Sequence, residues 1–290
     1  MSEDLANLDR SYIGREYSSS PQLVETESIV KYALATNEKN PLYTDTESPG
    51  GVVPPPLYPV VFLPELLSQL GDDAEEMGLD MLRVVHAEHD MEWRGIVRPG
   101  NQILSKAKII NMERRGVNDI LDLQIQCTRE GTTVVEMQYR LMVRGKKKQG
   151  ENEPGQPPVT TEQGKKLAEG TVMVTDDQGV RYAEASGDHN PIHISDEIAR
   201  SVGLPRAILH GLCTMALASQ TIVEELLGGD PRRLRRMKVR FSRPVLMGQT
   251  LTTEVYETGT KEAGNTVVHL ETRDANGVPV LTRGVAEFTK

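Results

Sequence analysis

The sequence is poor in cysteine and in long apolar runs, and each scarcity excludes a class of protein. Cys127 and Cys213 are the two cysteines among 290 residues, and they match neither a CxxC motif nor a Cys/His zinc spacing. We therefore expect a reducing compartment and no disulfide scaffold. No run of about 18 apolar residues occurs, so we expect no membrane span. The acidic start, MSEDLANLDRSY, lacks the basic and apolar regions of a signal peptide, which predicts a cytoplasmic protein.

An excess of positive charge is also missing. The 33 basic residues are outnumbered by 42 acidic ones, and the formal net charge is −9. A general nucleic-acid-binding protein is usually basic, so we expect no nucleic-acid partner. Hydrophobic residues at 38% and charged residues at 26% are typical of a soluble globular protein with a proper core.

The chain divides into two halves that repeat each other. Residues 145–158, GKKKQGENEPGQPP, are almost wholly charged, amide, glycine or proline residues. They predict a linker between a domain at 1–144 and a domain at 159–290. Tyr32-Ala33 and Asn40-Pro41 recur 150 residues later as Tyr182-Ala183 and Asn190-Pro191. Further on, WRGIVRPGNQI (93–103) resembles FSRPVLMGQTL (241–251) at an offset of 148 residues.

Both halves predict a helix followed by strands. A helix broken by prolines is predicted over 55–71, and a helix with apolar or small residues at three- and four-residue spacing over 209–229. Runs of alternating apolar and polar residues, separated by turn residues, follow each helix. They predict antiparallel strands with one solvent-exposed face. These runs are 103–113, 119–130 and 132–145 in the first half and 251–260, 265–277 and 278–290 in the second. The fold class predicted for each half is α+β.

The run YAEASGDHNPIH (182–193) gathers side chains capable of acid–base chemistry. In a regular helix Asp188 and His193 would face different directions. Pro191 bars the preceding residue from continuing a helix, so the two side chains can converge across the turn. Each residue also has a plain structural interpretation, since aspartate is a common helix N-cap and most histidines are ordinary surface or core residues. His189 is expected to point to solvent.

This combination resembles the MaoC-like hydratase and dehydratase family. The resemblance rests on the YAxxSGDxNPxH run at 182–193, on His210-Gly211 at the start of the predicted helix, and on the RFxxPVxxG pattern at 240–248. It is close in the second half and loose in the first. It implies a tandem, or double, hot-dog fold, in which each half is an antiparallel sheet wrapped around a central helix.

The resemblance implies addition of water to a trans-2-enoyl thioester, or dehydration of an (R)-3-hydroxyacyl thioester. Coenzyme A or acyl carrier protein would be part of the substrate, with no separate cofactor and no metal; HExxH spacing and a nucleotide-binding glycine loop are both missing. Asp188 and His193 would activate the water, and Asn190 would orient the loop. The Gly211 N–H, at a helix start, would stabilise the thioester oxygen as it gains enolate character. Which of Asp188 and His193 protonates C2 is not determined by the sequence, and His210 is expected to be a structural hydrogen-bonder beside the substrate.

The first half is expected to be inactive. Glu38 stands where Asp188 stands in the second half, and Tyr43 where His193 stands. A tyrosine with a pKa of about 10 is a poor base at neutral pH. Prolines at 54, 55, 56 and 59 also remodel the stretch that matches His210-Gly211.

The basic segment 230–243, DPRRLRRMKVRFSR, has two interpretations. A solvated edge is one. The other is a contact for the phosphates of coenzyme A or for an acidic carrier protein, with Arg236 and Arg240 as candidates. A carboxylate on the acyl group would favour a further arginine in the pocket. The candidates for that role are Arg94, Arg98, Arg181 and Arg206.

Two other functions are alternatives to the hydro-lyase. A hot-dog thioesterase would release a free thiol and would not need the Asp-x-Asn-Pro-x-His layout. A non-catalytic acyl-CoA binding module would leave the intact second-half motif without a role. The acyl chain length stays open, and a homodimer through exposed strand edges or sheet faces is an assembly that the tandem allows.

Overall fold

The computed structural model describes residues 8–145 and 164–290. The predicted linker at 145–158 lies outside the described residues except for Gly145, so the division at 144 and 159 stays a prediction. In the first half, short strands and helices precede four long strands. These elements are β1 (Glu16–Ser18), β2 (Gln22–Leu23), α1 (Thr26–Ala35), α2 (Pro64–Asp72), α3 (Ala74–Met77), β3 (Val84–Trp93), β4 (Gln102–Arg115), β5 (Asn118–Arg129) and β6 (Thr132–Val143).

The second half follows a similar order. Its elements are β7 (Lys166–Met173), α4 (Gln178–Ser186), α5 (Asp196–Ser201), α6 (Gly211–Leu226), β8 (Leu234–Phe241), β9 (Thr250–Glu262), β10 (Asn265–Asp274) and β11 (Pro279–Phe288). The six strands predicted from alternation are confirmed as β4, β5, β6, β9, β10 and β11. The sequence did not predict β3, β7 or α1.

Within residues 8–145 and 164–290, all the strands join one antiparallel sheet of 11 strands. Its order is β1-β4-β5-β6-β3-β8-β11-β10-β9-β7, with β2 paired to β4. The two halves meet where β3 pairs with β8. In that pairing His89 lies opposite Val239, and these two residues are 150 residues apart, which is the offset of the sequence repeat. The halves are therefore related by an approximate two-fold axis through this seam.

The same axis relates Tyr32 on α1 to Tyr182 on α4. Both tyrosines are buried, their ring centroids are 5.8 Å apart, and their hydroxyl oxygens are 3.5 Å apart. The first tyrosine of each copy of the repeated motif thus packs against its counterpart. This contact brings the start of the second-half motif to the interior of the molecule.

The helix predicted over 209–229 is confirmed as α6. Ten of its 16 residues are buried, and it packs on β7, β8 and β9. A helix that is apolar around most of its circumference is expected to be buried in this way. It is the central helix of the second half.

The helix predicted over 55–71 is broken at its prolines, as expected. A 3-10 helix spans Tyr58–Phe62, and α2 then begins at Pro64. Proline suits the first position of a helix because the N–H that it lacks has no intrahelical acceptor there. The nine-residue α2 packs on β1 and β4, so the first half has a shorter helix where the second half has α6.

Candidate active site

The turn after α4 is built by successive polar side chains. Gly187 ends the helix in the left-handed region at φ +78°, and its N–H donates to the Ala183 carbonyl at 2.9 Å. The Asp188 N–H donates to Ser186 Oγ at 3.2 Å, and Asp188 Oδ1 accepts from the Asn190 N–H at 3.1 Å. Side chains of this type commonly bond the backbone two residues on and so define a turn. The Asp188 carboxylate is thereby held on a short, defined loop.

Asn190 has a structural role in this loop. Its Oδ1 accepts from the Ile192 N–H at 3.2 Å, and Asn190 caps a 3-10 helix over Pro191–His193. The Asp188 carboxylate bonds the backbone of Asn190, and no bond to its amide side chain is found among the described residues. The predicted orienting role of Asn190 is therefore exerted through the backbone of the turn.

His193 turns inward and is held by a backbone carbonyl. Its Nδ1 lies 2.8 Å from the Ile208 carbonyl oxygen, which can only accept a hydrogen bond. The proton therefore resides on Nδ1, and Nε2 carries the lone pair. The residue is 9% exposed, and this burial lowers the pKa of His193, although the charge of Asp188 opposes the shift. At neutral pH the imidazole is uncharged and its Nε2 is available as a base.

His210 supports the same turn from the start of α6. Its Nε2 donates to the Asp188 backbone carbonyl at 2.9 Å, and its ring stacks on that of His193 at 3.9 Å between centroids. Burial and the neighbouring His193 hold the pKa of His210 well below its ordinary value. His210 thus acts as a structural hydrogen-bonder, and its predicted contact with substrate stays a prediction.

Three side chains converge in the candidate site. One carboxylate oxygen of Asp188 and one ring nitrogen each of His193 and His210 lie within 4.8 Å of one another. A carboxylate and a neutral imidazole this close can hold and deprotonate one water molecule. The same three residue types could also hold a metal ion. The expectation of a metal-free site stays a prediction.

Gly211 is the first residue of α6, and no side chain of the described residues caps this helix start. The first N–H groups of a helix lack intrahelical acceptors and favour negative charge. A Cβ at Gly211 would lie 3.2 Å from the Phe241 ring, so the ring closes one side of the backbone here. The sequence predicted a role for Gly211. It did not predict the hydrogen bond between His193 and the Ile208 carbonyl, because every residue has a backbone carbonyl and the residue type does not show which one is used.

The remaining predicted residues are not members of this cluster. His189 is exposed, as expected. Arg236 is engaged by Asp90 at 2.8 Å and by Glu287 at 3.0 Å, whereas Arg240 has no carboxylate partner among the described residues. The roles of both arginines in binding substrate stay predictions.

The four arginines proposed for an acyl carboxylate are dispersed. Arg181 donates to the Leu34 carbonyl and Arg206 to the Met247 carbonyl, both at 2.6 Å. Arg94 and Arg98 line a surface cavity of about 950 Å³ together with Arg129, Arg235 and Arg236. Asp188, His193 and Gly211 do not line that cavity, so the cavity is separate from the candidate active site, and the roles of these arginines stay predictions.

The first-half counterpart of the site is closed. Glu38 is 9% exposed, and burial together with the charge of Glu224 raises its pKa to about 8. Tyr43 is fully buried, its hydroxyl has no partner among the described residues, and burial raises its pKa. Asn40 Nδ2 donates to Glu224 at 2.8 Å, which ties this turn to α6. The arrangement lacks an imidazole base, as the sequence predicted.

Across residues 8–145 and 164–290, none of the helices has the length and apolar character needed to cross a membrane.

Two family models match the chain. The MaoC like domain matches residues 153–277, and the FAS1-like dehydratase domain region matches residues 11–137. A probable enoyl-CoA hydratase 2 of Dictyostelium discoideum is 28% identical over 79% of this chain and 77% of its own length. The 3-hydroxyacyl-thioester dehydratase Y of Mycobacterium tuberculosis is 37% identical over 39% of each protein.

Solved structures share the whole fold. A MaoC-like dehydratase from Phytophthora capsici superposes with a TM-score of 0.81 at 24% identity, and the match covers 98% of both chains. A protein of Mycobacterium tuberculosis described as having a double hot-dog fold superposes with a TM-score of 0.65 at 12% identity over 95% of both chains. The predicted tandem hot-dog fold is confirmed.

Proposed function

Because this chain belongs to the MaoC-like dehydratase family, we propose that it is a hydro-lyase of acyl thioesters. It adds water to a trans-2-enoyl thioester or removes water from an (R)-3-hydroxyacyl thioester. The names of the relatives, an enoyl-CoA hydratase 2 and a 3-hydroxyacyl-thioester dehydratase, support this reaction. Coenzyme A or acyl carrier protein is the carrier.

The observation that carries the residue assignment is the tautomer of His193. With Nδ1–H bound to the Ile208 carbonyl, the Nε2 lone pair is left to act as a base, and one ring nitrogen of His193 lies within 4.8 Å of a carboxylate oxygen of Asp188. A water between these two groups loses a proton to them as its oxygen bonds to C3 of the enoyl group. Imidazolium formed at His193 is stabilised by the Asp188 charge, which already raises the pKa of His193 against the effect of burial.

Asp188 and His193 then return a proton to C2. Both residues thereby recover their starting protonation states at the end of each turnover. As C3 gains the water oxygen, electrons of the double bond move toward the thioester oxygen. The Gly211 N–H at the start of α6 donates to that oxygen, where negative charge develops. Reversal of these steps removes water from the hydroxyacyl thioester.

The roles of the remaining groups follow from their partners. Asn190 and His210 hold the backbone of the turn, and both are positioning residues. Arg240 is the arginine proposed to contact the carrier's phosphates, because its guanidinium is not committed to a carboxylate among the described residues. Cytoplasmic location and homodimer formation stay predictions.

The test follows the loss of ultraviolet absorbance of crotonyl-CoA with wild type, Asp188→Asn and His193→Ala. We expect formation of the (R)-hydroxyacyl thioester and at least ~100-fold lower kcat/KM in both variants. His189→Ala removes an exposed imidazole from the same loop and should retain wild-type activity. Release of free thiol instead would identify a thioesterase. Full activity in both site variants would refute the assignment of Asp188 and His193.

A further inference from the structure

Two buried side chains, those of His89 and Tyr139, and the partly buried His86 form a cluster in the seam between the two halves. His86 and His89 lie on β3, and Tyr139 lies on the neighbouring β6. The His86 ring stacks on Tyr139 at 4.4 Å, and His89 packs against Tyr139 at 4.7 Å and against His86 at 5.3 Å. An irregularity in the β3–β6 register between His86 and Glu88 shifts the strand alternation, and the two histidines thereby meet.

The polar atoms of this cluster are buried without partners. His86 Nε2, both ring nitrogens of His89 and the Tyr139 hydroxyl make no hydrogen bond with the described residues. His89 is 0% and Tyr139 is 3% exposed. Buried polar side chains are nearly always hydrogen-bonded, because an unpaired group loses its bonds to water and gains none. Four such atoms in one place offer donors and acceptors that a bound molecule could pair.

The cluster borders the candidate active site. The Phe241 ring lies 4.9 Å from the His86 ring, and the same ring lies 3.2 Å from the position of a Cβ on Gly211. One aromatic ring therefore separates His86 from the backbone that is proposed to bind the thioester oxygen. Asp188 is also near enough for its charge to raise the pKa of both His86 and Tyr139.

The charges around the cluster limit what it can bind. Burial lowers the pKa of both histidines, that of His89 to about 3, and raises the pKa of Tyr139. All three side chains are therefore neutral at neutral pH, and the negative charge of Asp188 acts on His86 and Tyr139. A carboxylate here would be buried without a cation and repelled by Asp188. A neutral imidazole offers one donor and one acceptor, and a phenol offers both, which suits an uncharged oxygen.

We propose that His86, His89 and Tyr139 form an acyl-chain subsite that hydrogen-bonds an uncharged oxygen, a hydroxyl or carbonyl group, beyond C3 of the substrate. This subsite rests on the proposed function, since it extends from the site of hydration. The enzyme then prefers an oxygen-substituted enoyl thioester over the plain alkyl chain of the same length.

The experiment compares trans-2-hexenoyl-CoA with counterparts that carry a hydroxyl or oxo group at each carbon from C4 to C6. We expect kcat/KM of wild type to be at least ~10-fold higher for one substituted chain. Tyr139→Phe removes a single unpaired oxygen and should reduce this preference by roughly 5- to 10-fold, with activity on the plain chain retained. Tyr43→Phe is the matched control, because its hydroxyl is also buried and unpartnered but belongs to the first-half turn.

A binding measurement separates failure of the subsite from failure of the proposed reaction. Calorimetry with hexanoyl-CoA and its oxygen-substituted counterparts needs no turnover, and the same preference and the same loss in Tyr139→Phe are expected in Kd. A wild type that hydrates crotonyl-CoA but discriminates by less than threefold in both assays overturns the subsite alone. An unchanged preference in Tyr139→Phe, or an equal loss in Tyr43→Phe, overturns it as well.

Discussion

At Asp188 and His193, chemistry is set by backbone partners that the residue types do not reveal. The Ile208 carbonyl fixes the proton on His193 Nδ1, and the Asp188 carbonyl accepts from His210. In the first half, Glu38 and Tyr43 occupy the equivalent positions, both are buried, and their side chains have no such partners in the part of the chain that the structure describes. A carboxyl group buried beside another carboxylate favours its protonated form. The replacement of the catalytic pair therefore has a consequence for stability.

Replacing Glu38 by glutamine should make stability less dependent on pH. The pKa of Glu38 is about 8 in the folded protein, against 4.5 ordinarily, so the folded state keeps a proton that the unfolded state has lost between these values. The free energy of unfolding of wild type therefore falls as pH rises from 4.5 to about 8. The glutamine side chain cannot ionise. Glu38→Gln should therefore be roughly 2–4 kcal/mol more stable than wild type at pH 8 and differ little from it at pH 4.5.

Urea unfolding across this pH window measures the difference between Glu38→Gln and wild type. Glu257→Gln, a change at an exposed carboxylate on β9, is the matched control and should leave the pH dependence unchanged. Parallel stability curves for Glu38→Gln and wild type would contradict the assignment.

At the scale of elements, the turn after α4 is held between the two halves. Gly187 takes a left-handed conformation, and a Cβ on it would lie 2.6 Å from Cγ of Pro64, the first residue of α2. The second-half motif thus needs glycine for its backbone angle and also for contact with the first half. Gly203 has a similar φ of +82°, but a Cβ there meets no atom within 4 Å.

Gly187→Ala should therefore impair both stability and activity. Left-handed backbone strain costs about 1–2 kcal/mol for a non-glycine residue, and the clash with Pro64 adds to it. Because Asp188 is the next residue, we expect kcat/KM to fall by at least ~10-fold as the carboxylate is displaced. Gly203→Ala should carry the strain alone and keep its activity. Thermal unfolding and hydration of crotonyl-CoA measure the two effects, and equal losses in both variants would show that the Pro64 contact is unimportant.

At the scale of the molecule, the halves are joined by β3 and β8 and by charged pairs across that seam. Arg236 on β8 binds both carboxylate oxygens of Asp90 on β3 at 2.8 Å, and Glu287 on β11 at 3.0 Å. Asp90 and Glu287 are mostly buried, so removal of the guanidinium would leave Glu287 without its ion-pair partner and Asp90 with Lys238 at 3.8 Å. This geometry gives Arg236 a structural role, because its guanidinium already pairs with two carboxylates.

Arg236→Ala should lower stability while leaving KM for the acyl thioester unchanged. We expect a loss of roughly 1–3 kcal/mol in the free energy of unfolding, because Arg236 itself is partly exposed. Arg232→Ala breaks an exposed pair with Asp230 and should cost less than ~1 kcal/mol. Urea unfolding and steady-state kinetics on crotonyl-CoA provide the readouts. A raised KM with unchanged stability would instead support the role of Arg236 in binding the carrier.

Local patterns determined much of this protein. Alternation predicted six strands, helical periodicity predicted α6, prolines broke the first-half helix, and the Asp-x-Asn-Pro-x-His run identified the residues that the fold gathers into the candidate site. These features depend on neighbours in the chain, so the sequence expresses them directly. The strand β3 was missed because His86 and His89 are polar residues on its inward face, where an apolar residue is the usual signal.

The tertiary structure decided what depends on residues far apart in the chain. It joined the halves into one sheet through β3 and β8, placed Tyr32 against Tyr182, and gave His193 its proton-bearing nitrogen through the Ile208 carbonyl. It also left His86 Nε2, both ring nitrogens of His89 and the Tyr139 hydroxyl without hydrogen-bond partners among the described residues. A hydrogen bond to a distant backbone group, or the lack of one, depends on how the chain packs, and residue types along the sequence do not encode it separately.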